Sequence, residues 1–438
     1  MNNRLIKYYL CFILSTFFFF LVSCNGEKTE QKILTICTEE SLLYDVEEVA
    51  RYFKDSQETP VDIQISYIPS KQEDRASVCK KWRTELMAGK GVDLYIMKDY
   101  GISRNISVSE EEMLLADPNK LLTSGVFLDL SKYIREDEDF QSCFAPVMEA
   151  GAVNGRQYIV PFTFDVTLLR SSDGKGSLTY RDCTEPLTDL LESGKLGELS
   201  AADLLFYIKD WIGNSFDYQK GKVMFSPEDI SRVLEYAVDE TQKGIKEGSY
   251  EVVSIENDRY PHASLGTEMT TPEYQYLPFP TLDGRVSATV LSYGAIGRTC
   301  KNPELAYEFL KIFWSEGFAS GEGLTIPDQQ YSRHYLIDTL FNIGGLTVRQ
   351  DQWKNWYRNK AENMEEPEKI WRNGENMFSV VQQVSTARFV CPIDYLGMDI
   401  RDLFWKDGFL DVDKEGIQED IRTASDMLYN STRYIIME

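Results

Sequence analysis

The chain has 438 residues, and its 46 Lys and Arg stand against 70 Asp and Glu, a formal net charge of −24 at pH 7. So acidic a surface repels nucleic-acid phosphates and anionic headgroups, which excludes DNA- and RNA-binding functions. The length is enough for two domains of ordinary size sharing a sizeable core.

At the N-terminus Arg4 and Lys7 precede an apolar run from Leu10 to Val22, closed by Leu21-Val22-Ser23-Cys24. The apolar core is short for a membrane span, and the basic, apolar, small order is that of a secretory signal. Leu-Val-Ser-Cys resembles the lipobox of bacterial lipoproteins, which implies cleavage before Cys24 and a diacylglycerol on its thiol. Residues 1–23 then form a lipoprotein signal peptide and 24–32 a polar tether. The resemblance implies a cell-membrane location, lipid-anchored on the extracytoplasmic face. Without Arg4 and Lys7 the mature chain keeps 44 basic residues against 70 acidic ones, about −26, which suits the solubility of an exported protein.

Beyond the tether, Ile33 to Ile36 reads as a buried strand. Ser41 to Phe53 places Leu42, Leu43, Val46, Val49, Ala50 and Phe53 on one helical stripe. Val61, Ile63, Ile65 and Tyr67 alternate with polar residues, a half-buried strand. A second helix carries Ala76, Cys79, Trp82 and Leu86 on one face and stops at Gly89; Val92 to Met97 is a third strand. This alternation predicts a parallel sheet with covered faces. Gln157 to Val160 and Ser287 to Ser292 read as further strands. Leu204–Trp211, Pro227–Ala237, Glu304–Trp314 and Glu419–Leu428 carry helical apolar spacing. Beyond Cys11 and Cys24, six scattered cysteines without a CxxC pair argue against zinc and fit free, buried thiols, although their even number also permits disulfides outside the cell. No metal or other cofactor is expected.

Several segments then match one family in order. They are Leu86-Met87-Ala88-Gly89-Lys90-Gly91-Val92-Asp93, Asn154-Gly155-Arg156-Gln157-Tyr158-Ile159-Val160-Pro161-Phe162, and Tyr276-Leu277-Pro278-Phe279-Pro280 with Asp283-Gly284. Lys301-Asn302-Pro303-Glu304-Leu305-Ala306 and Leu324-Thr325-Ile326-Pro327 follow. Together they resemble the extracellular solute-binding proteins of ABC importers, the family that includes maltose-binding protein. Val92 stands where that family usually has proline, and Ser171 to Ser200 matches least. The resemblance implies an α/β, two-lobed periplasmic-binding-protein-like fold whose discontinuous lobes are joined by a hinge of three crossings. The N-lobe would be 33–162 and 286–322, the C-lobe 163–285 and 323–438. The crossings would lie near Val160–Asp165, Pro280–Ser287 and Leu324–Pro327. Function would be non-enzymatic: a monomer holding a carbohydrate or oligosaccharide between its lobes and delivering it to the importer's membrane subunits.

Ligand-contacting residues in parallel sheets sit at the carboxyl ends of strands. That selects Glu39 and Glu40 after the first strand, which also suit a helix N-terminus, and Asp99 and Tyr100 after the third. Asp165 lies where relatives carry a carboxylate at the interlobe crossing, able to accept from adjacent sugar hydroxyls. Phe164 offers a stacking face or hinge packing, and Tyr293 a face and a hydroxyl. Trp211, Tyr260 and Tyr395 are C-lobe candidates by family position, with aromatic core as their other reading. Asp411 to Gly416 opens like a calcium loop, but its twelfth position is Arg422 instead of a bidentate glutamate. The rival functions are a lipid-anchored extracellular enzyme acting on carbohydrate, a receptor for a non-sugar polar solute, and an adhesion lipoprotein. The chain holds only His262 and His334, with no HExxH and no GxSxG.

Overall fold

In the computed structural model, which describes residues 32–99, 109–172, 176–244, 248–254, 273–316, 318, 325–326, 329–330, 345–354, 367–406 and 409–437, the chain begins as an alternating strand–helix unit. Strand β1 (Lys32–Glu39) is followed by helix α1 (Leu43–Ser56), β2 (Val61–Ile68), α2 (Gln72–Met87) and β3 (Leu94–Lys98). β1 lies between β2 and β3 and is parallel to both, as the alternation predicts. Helix α1 buries Val46, Val49, Ala50 and Phe53, the 3.6-residue stripe read from the sequence. Gly89, at φ 67°, stands just past α2 in the left-handed conformation that ends helices.

Asn154 and Gly155, both at positive φ, make the tight turn of a small hairpin between Ala152–Val153 and Arg156–Gln157. It leads into β4 (Ile159–Asp165), after which β5 (Thr167–Ser172) belongs to a different sheet. Next come short helices α3 (Ala201–Phe206) and α4 (Ile208–Ile212), then α5 (Pro227–Gln242), which Ser226 caps by accepting from the backbone N–H of Asp229. The sequence suggests one helix over Leu204–Trp211; the structure breaks it at Tyr207, whose ψ of 37° leaves the helical region. Strands β6 (Glu251–Ser254) and β7 (Tyr274–Pro278) flank β5 in an antiparallel three-stranded sheet.

The chain then returns to the first sheet as β8 (Ser287–Ile296), antiparallel to β3 and β4. Helix α6 (Pro303–Lys311) covers it, and β9 (Leu346–Thr347), helix α7 (Pro367–Val381) and β10 (Thr386–Phe389) complete that side. The seven-stranded sheet is therefore mixed, in the order β9-β4-β8-β3-β1-β2 with β10 also paired to β8. Phe162 stacks on Phe313 at 4.5 Å, and a Cβ on Gly294 would come within 2.5 Å of the Phe162 ring. Glycine is needed there for the close approach. Helices α8 (Pro392–Phe404) and α9 (Ile417–Met437) pack with α5 around a second core holding Trp211, Ile230, Val233, Leu234 and Leu428.

Two cores thus exist, built from discontinuous chain. The segment 346–389 differs from expectation: Leu346, Val348, Trp353, Phe378 and Phe389 bury in the first core, so residues 323–438 do not act as one C-lobe piece. The reason is pairing, since β9 and β10 supply strands that β4 and β8 would otherwise leave open. The third passage between cores accordingly falls at Val390–Cys391, between β10 and α8. Thr325–Ile326, from the stretch expected to cross, instead pairs with Gln329–Gln330; Leu324 and Pro327 lie outside the described residues. All six cysteines from Cys37 to Cys391 are unpaired, and five are buried. Among the described residues no helix is long and apolar enough to cross a membrane. Cys24, with the signal and most of the tether, lies outside them.

Candidate functional site

The place where β4 runs out at Asp165 and β5 starts at Thr167 is where the chain first passes from one core to the other. A cavity of about 680 Å³, counting the part open to solvent, forms there. Asp165, Ser287, Thr289 and Arg388 reach it from strands of the first sheet; Thr167, Lys209, Asp210, Asn214 and Asp394 reach it from the second core's elements.

The cavity's polar groups are partly tied to one another. Asp165 Oδ1 accepts from the Val166 backbone N–H at 2.9 Å. Asp210 Oδ1 accepts from Thr167 Oγ1 at 2.7 Å and from Lys209 Nζ at 3.1 Å. Arg388 holds Asp394 through two parallel bonds of 2.5 Å and donates to the Gly213 carbonyl at 3.2 Å. Burial disfavours the Lys209 charge, yet the carboxylates of Asp210, Asp394 and Asp165 outweigh it and hold the ammonium above its ordinary pKa. Burial likewise opposes ionisation of Asp394, and the Arg388 guanidinium outweighs it, so that carboxyl stays below the usual range. Among the described residues, two buried acceptors of the cavity lining have no hydrogen-bond partner, Asp210 Oδ2 and Asn214 Oδ1.

A second cavity, of about 400 Å³ counting the part open to solvent, shares strand β8 and helix α8 with the first. Strand alternation, with a register shift between Val290 and Tyr293, separates them: β8 gives Ser287, Thr289 and Leu291 to the first, and Val290 and Tyr293 to the second. Glu39 and Arg75 line the second as a buried bidentate pair, at 2.7 and 2.9 Å. Across it Tyr395 donates to Asp99 Oδ1 at 2.9 Å, and Tyr395 packs with Met113 and Val390 in a small cluster of its own.

Of the ligand-contact residues read from the sequence, Asp165 lines the first cavity and Glu39, Asp99, Tyr293 and Tyr395 line the second. Glu40 lines neither and accepts from the Ser70 backbone N–H at 2.6 Å. Two expectations are corrected. Phe164 is 0 % exposed, packed on Phe144 and Trp353, because its neighbour Asp165 takes the other face of the strand. Trp211 is also 0 % exposed, with its indole N–H given to the Leu204 carbonyl. Tyr100 and Tyr260 lie outside the described residues.

Sequence reasoning missed Lys209, Asp210, Asn214, Arg388, Asp394 and Arg75. Lys209 and Asp210 directly precede Trp211, and turning the helix so that Trp211 faces the core directs these two at the cavity. Arg388 carried a signal of its own, a charge inside the run Ala387-Arg388-Phe389-Val390. Asp394 stands three residues after the N-cap Cys391, at the N3 position of the α8 capping box.

No protein-family model matches the chain, and no curated protein matches it in sequence. Solved structures do. An extracellular solute-binding protein of family 1 from Alicyclobacillus acidocaldarius superposes with a TM-score of 0.54 at 12 % identity, covering 94 % of this chain and all of its own. A periplasmic solute-binding protein from Pectobacterium atrosepticum gives a TM-score of 0.50 at 12 % identity, over 93 % of this chain and 99 % of that one. The fold is thus the two-lobed one of extracellular solute-binding proteins, in agreement with the resemblance carried by the sequence motifs.

Proposed function

We propose that this protein is an extracytoplasmic receptor that captures a small polyhydroxylated solute, a carbohydrate, between its two cores and hands it to a membrane importer. The observation that carries the reading is convergence: Asp165, Ser287 and Thr289 from one sheet meet Thr167, Asp210 and Asn214 from the other side in a single cavity. Carboxylates, an amide and hydroxyls suit a ligand that is itself a set of hydroxyls. The aromatic supply is smaller than the composition suggests, since Phe279 is the one aromatic among the described residues of the first cavity. Polar contacts therefore carry more of the recognition than stacking. The receptor works as a monomer, without chemistry on its ligand, and Cys24 ties it to the membrane through lipid.

Closure follows from the same arrangement. A solute touching both cores favours the state in which they are closest, by its differential affinity for that state. A thermal-shift screen against mono- and oligosaccharides, followed by solution X-ray scattering with the best ligand, tests this. A stabilising sugar that also lowers the radius of gyration supports the receptor; steady conversion of that sugar by the purified protein overturns it.

A further inference from the structure

We infer that Asp210 and Asn214 work as a pair of acceptors that grips a sugar by the hydrogens of two of its hydroxyls. The receptor then rejects the same sugar once either hydroxyl has lost its hydrogen. This rests on the reading of the chain as a solute receptor and names what sets its specificity.

Both residues sit on one turn of the second core. Asp210 belongs to α4, the helix ends at Ile212, and the chain bends at Gly213, φ 56°, before Asn214. Each side chain is anchored through one polar atom and leaves the other unmatched. Asp210 Oδ1 accepts from Thr167 Oγ1 and Lys209 Nζ, while its Oδ2 meets no donor among the described residues. Asn214 is 5 % exposed, and its Nδ2 donates to Thr386 Oγ1 at 3.0 Å, which fixes the amide. Its Oδ1 likewise meets no donor among the described residues. Buried acceptors left unmatched are costly, so the natural occupant of the cavity brings a donor to each.

Neighbouring donors of the lining are directed at partners inside the protein. Thr167 gives its hydroxyl hydrogen to Asp210, and Thr281 gives its own to Asp283 at 2.9 Å. Arg388 closes on both oxygens of Asp394 and donates to the Gly213 carbonyl. The two acceptors therefore depend on hydrogens carried by the solute. A sugar hydroxyl has a hydrogen to give; fluorine in its place keeps a similar size but has only lone pairs. Those lone pairs would face a carboxylate and an amide oxygen, leaving each acceptor unmatched and adding repulsion. Shape or stacking alone would not tell the two substituents apart.

Calorimetry on the full chain with D-glucose, D-mannose, D-galactose, D-xylose, maltose and cellobiose finds the tightest binder. That sugar is then compared with its monodeoxyfluoro derivatives, one hydroxyl at a time. At least two positions should each lose about tenfold or more in affinity. In Asp210→Asn, Thr167 and Lys209 still hold the oxygen, so an amide N–H replaces the acceptor. Sensitivity to fluorine should then vanish at one of those positions and persist at the other. Asn214→Asp keeps an acceptor toward the solute and should keep both. A purely structural role for Asp210 would weaken every derivative alike and leave the pattern intact. Fewer than two sensitive positions in the unaltered protein, or an unchanged pattern in Asp210→Asn, overturns the acceptor pair while leaving the receptor reading in place. Absence of binding by every parent sugar, with no change in radius of gyration, overturns both.

Discussion

Tyr395 Oη lies 2.9 Å from Asp99 Oδ1, so a helix of the second core is hydrogen-bonded to the carboxyl end of a central strand of the first. Tyr218, from a turn packed on the second core, also donates to a carboxylate, Asp117 Oδ2 at 2.9 Å. Both bonds join a phenol to a carboxylate, and both tie the second core to the first.

Replacing Tyr395 with Phe should therefore loosen the closed form. A hydrogen bond to a charged group contributes about 1.5–3 kcal/mol, and this one is partly exposed, so the lower end applies. Solution scattering of unliganded Tyr395→Phe, and more so of Tyr395→Phe with Tyr218→Phe, should give a larger radius of gyration than the unaltered chain. An unchanged profile in the double variant would show that neither bond restrains the two cores.

Phe164 and Asp165 are adjacent on β4 and should respond in opposite ways. Phe164→Ala removes a fully buried ring and is expected to cost about 3–5 kcal/mol in a urea melt. Asp165→Asn should leave the unliganded melt nearly unchanged but weaken sugar binding by about 1–3 kcal/mol, about fivefold to more than a hundredfold. Trp211→Ala belongs with Phe164: its loss should appear in stability first.

The Arg388–Asp394 pair is buried on both sides, at 7 % and 4 % exposure. Asp394→Asn leaves a guanidinium without its counter-charge, and the expected loss is about 3–5 kcal/mol. Because the folded Asp394 carboxyl is held below its ordinary range, the pair's contribution is present above the unfolded carboxyl's pKa. It disappears as pH falls through the lower, folded value. Acid titration of unaltered protein and variant by circular dichroism should show the gap between them closing toward low pH.

Asp203 behaves in the reverse sense. Burial, with Glu251 adding to it, raises its carboxyl from 3.8 to about 6. The folded state then keeps a proton that the unfolded chain has already released, so stability falls as pH rises across that window and stays lower above it. Asp203→Asn should raise the melting temperature at about pH 7.5 and leave it nearly unchanged at about pH 3.5. A gain of equal size at both would mean that ionisation is not its cause.

Lipid anchoring is tested at one atom. Mass spectrometry of the mature N-terminus should find a diacylglycerol-modified Cys24, and Cys24→Ala should leave the chain unmodified and uncleaved at that position. An unmodified wild-type terminus would remove the anchor from the functional reading.

Much of the architecture was legible because local rules and tertiary packing agree in it. The stripe Val46, Val49, Ala50, Phe53 and the strand–helix alternation through Met97 carry the parallel unit directly. The carboxylate at Asp165 was legible from its distance to Pro161 in a recognised motif. The third passage was not, because Val390–Cys391 has no local mark; it is set by where β10 finds room beside β8. Lys209 and Asp210 were hidden by a conspicuous neighbour. A tryptophan attracts attention as a stacking surface, yet the large apolar ring is what the core claims, leaving its charged neighbours for the cavity.

Strand β8 pairs with β3, β4 and β10 at once, and the last of these is drawn from chain nearly a hundred positions later. During synthesis the N-terminal half emerges first, and its sheet has no centre until β8 arrives. A chain of this kind stays unfinished for most of its synthesis. Until β8 and β10 have both been made, it is exposed to aggregation and in need of escort.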